Sequence, residues 1–428
     1  MSNGVHSVWR ELYPVKGIWT FFVIFQAERK ALMYSYDEVL TYCREEDVKF
    51  IRLAFCDFLG RQKNVAIMPD ELARAFEHGI SIDASAIAGF GDEANSDLLL
   101  FPDPSTLSVL PWRPSHGRVV RMFCDIRHPD GAPFRRDSRL LLKKAVAAAK
   151  EEGISCYFGA EIEFYLFQTD ENGRPTKIPF DQAGYMDIAP DDKGENIRRD
   201  ICLTLESMGI RPESSHHEEG PGQNEIDFRY SDALSAADNA VTFQAVVKTI
   251  AMQNGLCACF SPKPLEHQSG NGLHINISIE SLGGRTDRDS FMAGVLRHIR
   301  EITAFLNPVE ESYRRLGERK APRFVTWSRQ NRSPLIRIPA AKGEYERFEL
   351  RSPDPCANPY IAYALLIYAG LDGVRRHLPL CPPVDDNLFT AGPAVTGGLE
   401  QLPSTLEQAR QLAEGSELIR RFMPDILT

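Results

Sequence analysis

Residues 157–167 read Tyr157-Phe-Gly-Ala-Glu-Ile-Glu-Phe-Tyr-Leu-Phe167 and alternate without a break. One face carries Tyr157, Gly159, Glu161, Glu163 and Tyr165, and the other carries Phe158, Ala160, Ile162, Phe164 and Leu166. Period two marks a β-strand with one buried face. Three more stretches behave alike. Asn224–Tyr230 sets Glu225, Asp227 and Arg229 on one face, and strict alternation puts Tyr230 on the other. Gly272–Ile279 sets His274, Asn276 and Ser278 against Leu273, Ile275, Ile277 and Ile279. Tyr345–Arg351 aligns Tyr345, Arg347, Glu349 and Arg351. A sheet face that merely meets water mixes Lys, Thr, Ser and Gln, and these four faces hold no Lys and no Gln. Crowded carboxylates repel one another and resist desolvation. If the four strands line one cavity, divalent cations are the natural neutraliser. The arginines are natural grips for carboxylate or phosphate.

The chain has 428 residues, 43% apolar and 25% charged, a globular balance with room for two domains. Its net charge of −10, with no basic block, argues against nucleic acid or an anionic membrane as main partner. The nine cysteines are scattered, and only Cys257 and Cys259 lie close. That spacing is neither a redox pair nor a zinc knuckle, so the set reads as reduced thiols of a cytoplasmic protein. Within residues 1–32, Gly17–Gln26 is apolar but too short to span a bilayer, and no signal-peptide cleavage site follows it. Residues 1–32 are read as an appendage, a start-site artefact or an oligomer contact, with Met33 opening the first domain.

Patterning gives helices over Tyr36–Glu46, Pro69–Gly79, Ser138–Glu152, Asn196–Met208, Ser231–Met252, Asp289–Asn307, Asn358–Arg375 and Thr405–Phe422. Val48–Phe55, Val109–Trp112 and Arg118–Asp125 read as strands, and Ser81–Asp103, rich in Gly, Ala, Ser and Asp, as a loop. The class is α+β, an antiparallel sheet with segregated helices. A small strand-rich domain spans 33–130 and a larger one 131–428.

Five motifs follow in order: Gly159-Ala-Glu-Ile-Glu-Phe164; His216-His-Glu-Glu-Gly-Pro-Gly-Gln-Asn-Glu225; Lys263-Pro264 with Gly270-Asn-Gly-Leu-His274; Asn331-Arg-Ser-Pro-Leu-Ile-Arg-Ile-Pro339; and Glu349-Leu-Arg-Ser-Pro-Asp-Pro355 with Ala357-Asn-Pro-Tyr360. Their order and spacing resemble the glutamine synthetase family, from about Val48 to the C-terminus. The resemblance implies a β-grasp-like N-terminal domain before a catalytic domain whose antiparallel strands form half a barrel. It implies a homo-oligomer of stacked rings, a dodecamer, with active sites shared between subunits. Carried over by position, one metal site uses Glu163, Glu218 and Glu225, and a second uses Glu161, His274 and Glu349. Hard oxygen donors with one imidazole suit Mg²⁺ or Mn²⁺. Glu219 competes with Glu218 by composition, and the motif favours Glu218. Gly270, Arg315 and Arg351 match substrate-binding positions. Tyr230, Asn276, Ser278, Arg332, Arg337 and Arg347 match positions that bind ATP. Arg332 and Arg351 match catalytic arginines, and Asp83 matches the aspartate that enters a neighbouring subunit's site and helps deprotonate ammonium.

The family reaction phosphorylates a carboxylate with ATP and lets an amine displace the phosphate. Ammonium-using members carry a flap Glu before an Ala-Pro pair, where this chain has Lys320 in a loop one residue shorter, with Glu318 nearby. Ser269 replaces a glutamate-contacting Asn, and Phe389 stands where adenylylated members carry Tyr. Glutamine synthetase and a γ-glutamyl ligase of an organic amine are both implied. A non-catalytic member of the family and an unrelated two-metal phosphotransferase are the competing readings.

Overall fold

The computed structural model describes residues 35–91, 94–113, 116–340 and 346–427. The reading of residues 1–32 and the position of Tyr345 lie outside them. Among the described residues, no helix is long and apolar enough to cross a membrane.

Sixteen strands are described: β1 (Val48–Cys56), β2 (Gln62–Ile67), β3 (Ile80–Asp83), β4 (Asp97–Pro102), β5 (Ser108–Val109), β6 (Arg118–Arg127), β7 (Ser155–Thr169), β8 (Pro175–Pro179), β9 (Pro212–His217), β10 (Gln223–Phe228), β11 (Ser231–Asp232), β12 (Leu256–Cys259), β13 (Leu273–Glu280), β14 (Trp327–Arg329), β15 (Ile336–Ile338) and β16 (Phe348–Leu350). The first six form a sheet in the order β2-β1-β6-β4-β3, with β5 on β6. The rest form a ten-stranded sheet, β14-β15-β16-β13-β7-β10-β9, with β8, β11 and β12 also on β7.

The chain resolves into two compact units. Among the described residues, one holds 35–53, Val65–Ile80 and those within 101–124; the other holds Ala54–Asn64, those within 81–100 and those from Asp125 on. In the first, Val39, Ile51, Leu53, Leu72, Val120 and Met122 are buried. In the second, the apolar face of β7 builds the core. Phe158 stacks on Tyr363 at 4.4 Å, and Phe164 lies 6.1 Å from Phe243 and 5.7 Å from Phe260. Burying each such ring is worth about 1.5–3 kcal/mol, so this face sets the register of the strand and leaves the other face polar.

The helices follow their sequence signals. Ser35 forms a capping box with Glu38, and Asn358 caps Pro359–Arg375 with proline in the first turn. Three expectations fail. Ser81–Asp103 is not all loop: it contains most of β3 and β4, and in β4 Leu98 and Leu100 turn inward within the short apolar run Leu98–Phe101. Thr405–Phe422 is two helices, because Ser416 ends Leu406–Gly415 and caps Glu417–Phe422 through its hydroxyl. Of Val109–Trp112 only Val109 is in a strand, the two-residue β5 that it forms with Ser108.

Candidate active site

The polar row is built by register. Asp227, Glu161 and His274 are Cα partners across β10, β7 and β13. Two residues along, Glu225 pairs with Glu163. Asn276 stands opposite Gly159 on one side and Glu349 on the other, and Glu349 stands opposite Arg337. Since alternate residues share a face, these side chains converge on one cleft. The tips are close. His274 Nδ1 is 3.4 Å from Glu161 and 3.9 Å from Glu349, and its Nε2 is 4.0 Å from Glu163. His216 Nε2 is 3.0 Å from Glu218 and 3.7 Å from Glu225.

The electrostatics of the cleft follow from burial and crowding. Burial, then Asp227, Glu163, Glu161 and Glu218, push the Glu225 carboxyl well above the usual range. Burial and Glu161 push Asp227 to about 7. Burial also raises Glu163. Against burial, His274, Asn276 and Arg337 hold Glu161 down at about 2. Carboxyls that resist ionisation because their neighbours are carboxyls are a donor set that fits added positive charge. Glu161, His274 and Glu349 present ligand atoms within 4.8 Å of one another, as do Glu163, Glu225 and His274, and His216, Glu218 and Glu225.

Arginines close the other wall. Arg337 and Arg351 each donate to one oxygen of Glu349. Arg347 donates to Asn276 Oδ1 at 2.8 Å, and Asn276 donates to Glu161 at 2.8 Å. Arg315 is buried and donates to the carbonyls of Ser352 and Arg351. It packs against Gly270 and Gly272 so closely that a Cβ on Gly272 would stand 2.7 Å from its guanidinium. Arg332 is exposed at the rim.

The cleft has two lobes that share Glu161, Ser214 and Asp227. The smaller, about 240 Å³, is lined by Gly159, Tyr230, Asn276, Ser278 and Arg347. The larger, about 500 Å³, takes in Glu163, His216, Glu218, Glu225, His274, Gly270, Arg315, Arg332, Arg337 and Arg351, with Tyr185, Glu219 and Lys320.

Two face assignments are corrected. Tyr230 stands in the smaller lobe and not on the opposite face, while Arg229 is exposed and lines neither lobe. The cause is a register shift between Asp227 and Phe228, after which β10 ends and alternation no longer governs the chain. Asp83 lines neither lobe. It is exposed, and its carboxylate accepts from Ser85 N at 3.0 Å and Ser85 Oγ at 2.6 Å. His216, Asp227 and Tyr185 belong to the cleft without having been assigned a role. Alternation had already put Asp227 beside Glu225, and His216 is the Cα partner of Glu225 across β9.

Glu218 and Glu219 have different partners: Glu218 faces His216, whereas Glu219 binds Lys320 at 2.5 Å and accepts from Ser269 Oγ at 3.1 Å. The Lys320 charge is therefore offset by Glu219 rather than presented bare. Glu318 points elsewhere, 3.0 Å from Lys263 Nζ.

A two-domain α+β chain with an acid-and-arginine cleft in an antiparallel sheet is the class that fold and site define. The family model for the glutamine synthetase catalytic domain matches residues 135–428, and that for its β-grasp domain matches 47–129. The chain is 44% identical to the glutamine synthetase of Clostridium saccharobutylicum over 92% of both chains. It is 45% identical to that of Methanosarcina mazei over 90% of both. A ligand-free structure of GmaS superposes with a TM-score of 0.82 at 30% identity, covering 91% of this chain and 93% of that one. Plasmodium falciparum glutamine synthetase, at 24% identity and a TM-score of 0.80 over 92% and 93%, shares the fold. The chain belongs to the glutamine synthetase family, an enzyme family that is ATP-dependent and divalent-metal-dependent. It carries the family's architecture of β-grasp domain, curled half-barrel sheet and flanking helices, with β14 and β15 the one parallel pair among the described strands of that sheet.

Proposed function

We propose that this chain joins glutamate to ammonium or a primary amine, driven by ATP through an acyl phosphate. The observation that carries the reading is the convergence of Glu161, Glu163, Glu218, Glu225, His274 and Glu349 beside a second lobe that adds Tyr230, Asn276, Ser278 and Arg347. Glu163, Glu218 and Glu225 would hold one cation and Glu161, His274 and Glu349 a second, Mg²⁺ or Mn²⁺ by donor type. Bound there, such ions spread the charge of the transferring phosphoryl group.

The protein's own groups do the rest. Tyr230, Asn276, Ser278 and Arg347 line a lobe for the nucleotide. Arg332, Arg337 and Arg351 offer N–H donors where negative charge builds as the phosphoryl group moves. Arg315, with its aliphatic stem against Gly270, frames the glutamate side of the larger lobe. The incoming ammonium must lose a proton before it attacks. Asp83, exposed and outside its own chain's cleft, suits that task in a neighbouring copy's site. The chain then works as a ring-forming homo-oligomer, a dodecamer by family likeness, in the cytoplasm, with domains near 33–130 and 131–428.

The test is phosphate release from ATP by the full chain with Mg²⁺ or Mn²⁺, glutamate, and ammonium or an amine. Release that requires both glutamate and an acceptor supports the reading. None with any acceptor would sink it and favour a non-catalytic member.

A further inference from the structure

Glu219 has no part in the reaction described above, yet its carboxylate lines the larger lobe. Its position differs from that of its neighbours. The side chains of Glu161, Glu163, Glu218 and Glu225 are 16%, 11%, 14% and 9% exposed, whereas that of Glu219 is 32% exposed. Glu219 therefore stands nearer the mouth than the acid cluster. What it binds there is an alkylammonium: Lys320 Nζ, at 2.5 Å, at the end of a four-carbon chain. The same ammonium lies 5.2 Å from the centre of the Tyr185 ring, so a carboxylate and an aromatic face together receive it. Ser269 Oγ fixes the other carboxylate oxygen at 3.1 Å.

The loop that delivers Lys320 is held under strain. Arg319 and Lys320 both lie in the left-handed region, with φ of 41° and 69°, where residues other than glycine seldom rest. Exchanging one ammonium on Glu219 for another conserves the ion pair. An acceptor with a single amine cannot make this exchange at the mouth and also present that amine to the acyl phosphate. An acceptor with two amines can.

We propose that Glu219 is an acceptor-specificity residue that takes a distal alkylammonium group, so that the preferred acceptor is an aliphatic diamine, with Lys320 occupying the carboxylate in its absence. The proposal rests on the ligase reading and narrows its acceptor.

The experiment is glutamate-dependent phosphate release by the full chain with ammonium, n-butylamine and 1,4-diaminobutane. The two amines share a carbon chain and differ in the second ammonium. The wild type should favour diaminobutane over butylamine in kcat/KM by about tenfold or more, the scale of one well-placed ion pair. In Glu219→Gln that ratio should collapse toward one. A ratio of two acceptors on one preparation is insensitive to how much of the variant folds. Lys320→Ala, which removes the internal competitor, should lower the KM for diaminobutane. Equal use of both amines by the wild type, or a ratio unmoved by Glu219→Gln, overturns the proposal. Release with ammonium alone overturns it while leaving the ligase reading intact. No release with any acceptor removes both.

Discussion

Glu349 gives one carboxylate oxygen to Arg337 and the other to Arg351, and it has no exposure to solvent. One buried anion thus holds two guanidiniums beside the clustered carboxylates of the cleft. Glu349→Ala leaves both cations facing each other without their counter-charge. Removing one partner from a buried charged pair costs about 3–5 kcal/mol. Denaturant unfolding should show a loss on that scale, together with loss of glutamate-dependent phosphate release. A variant within about 1 kcal/mol of wild type would show that solvent or neighbouring groups already compensate the arginines.

Gly159 marks the floor of the smaller lobe. A Cβ there would stand 3.4 Å from Tyr230 Cβ and 3.7 Å from Asn276 Cβ, which is ordinary contact. Gly159→Ala should therefore be tolerated. Gly159→Val extends into a lobe of about 240 Å³ and should raise the KM for ATP by about tenfold, equivalent to about 1.4 kcal/mol of lost binding. The KM for glutamate should move less. Equal loss for both substrates would mean that this lobe is not the nucleotide's.

Asp137 gives a pH signature remote from the cleft. It caps Ser138–Glu151 through Arg139 N at 3.0 Å and accepts from Ile126 N at 3.3 Å. Burial, then the Asp125 charge, lift it to about 6. The folded chain then binds a proton that the unfolded chain has released. This contribution is present below about pH 4 and is lost as pH rises through about 6, on the order of 2–3 kcal/mol. Asp137→Asn keeps a capping oxygen and cannot titrate. Its stability relative to wild type should improve as pH rises from about 4 to 7. A constant difference between the two across that window would mean that Asp137 ionises normally.

Much of the cleft is legible in the chain because alternation and register are local rules. Glu161 and Glu163 lie two apart on a strand whose other face buries Phe158, Ile162 and Phe164, and nothing competes with that pattern. Tyr230 was misplaced because one register shift after Asp227 ended the alternation, and no residue type announces it. The strands within 81–103 were hidden because the apolar run Leu98–Phe101 is short and follows a stretch rich in Gly, Ala, Ser and Asp. Ser416 broke a helix by capping the next, a role that a helix-interior serine could equally have declined. The pairing of Lys320 with Glu219 was the least accessible, since it joins a loop to a loop and follows no period.

Asp83 tests the sharing of sites between copies. Its carboxylate is exposed, held below the usual range by Ser85, and lines neither lobe of its own cleft. An exposed carboxylate at the end of β3 is open to contact from another chain. If Asp83 serves a neighbour's site, an Asp83→Asn subunit spoils a site that it does not build, whereas an Arg351→Ala subunit spoils its own. Each variant alone should be nearly inactive. Dissociated, mixed in equal amounts and reassembled, the two should recover about a quarter of wild-type activity, because random neighbours in a cyclic ring complete that share of the sites. If Asp83 serves its own chain, every site in the mixture carries one defect and no activity returns. Recovery that tracks reassembly by size-exclusion chromatography supports a shared site. A flat zero with full reassembly assigns Asp83 to its own subunit, where its bonds to Ser85 would make it a turn residue and nothing more.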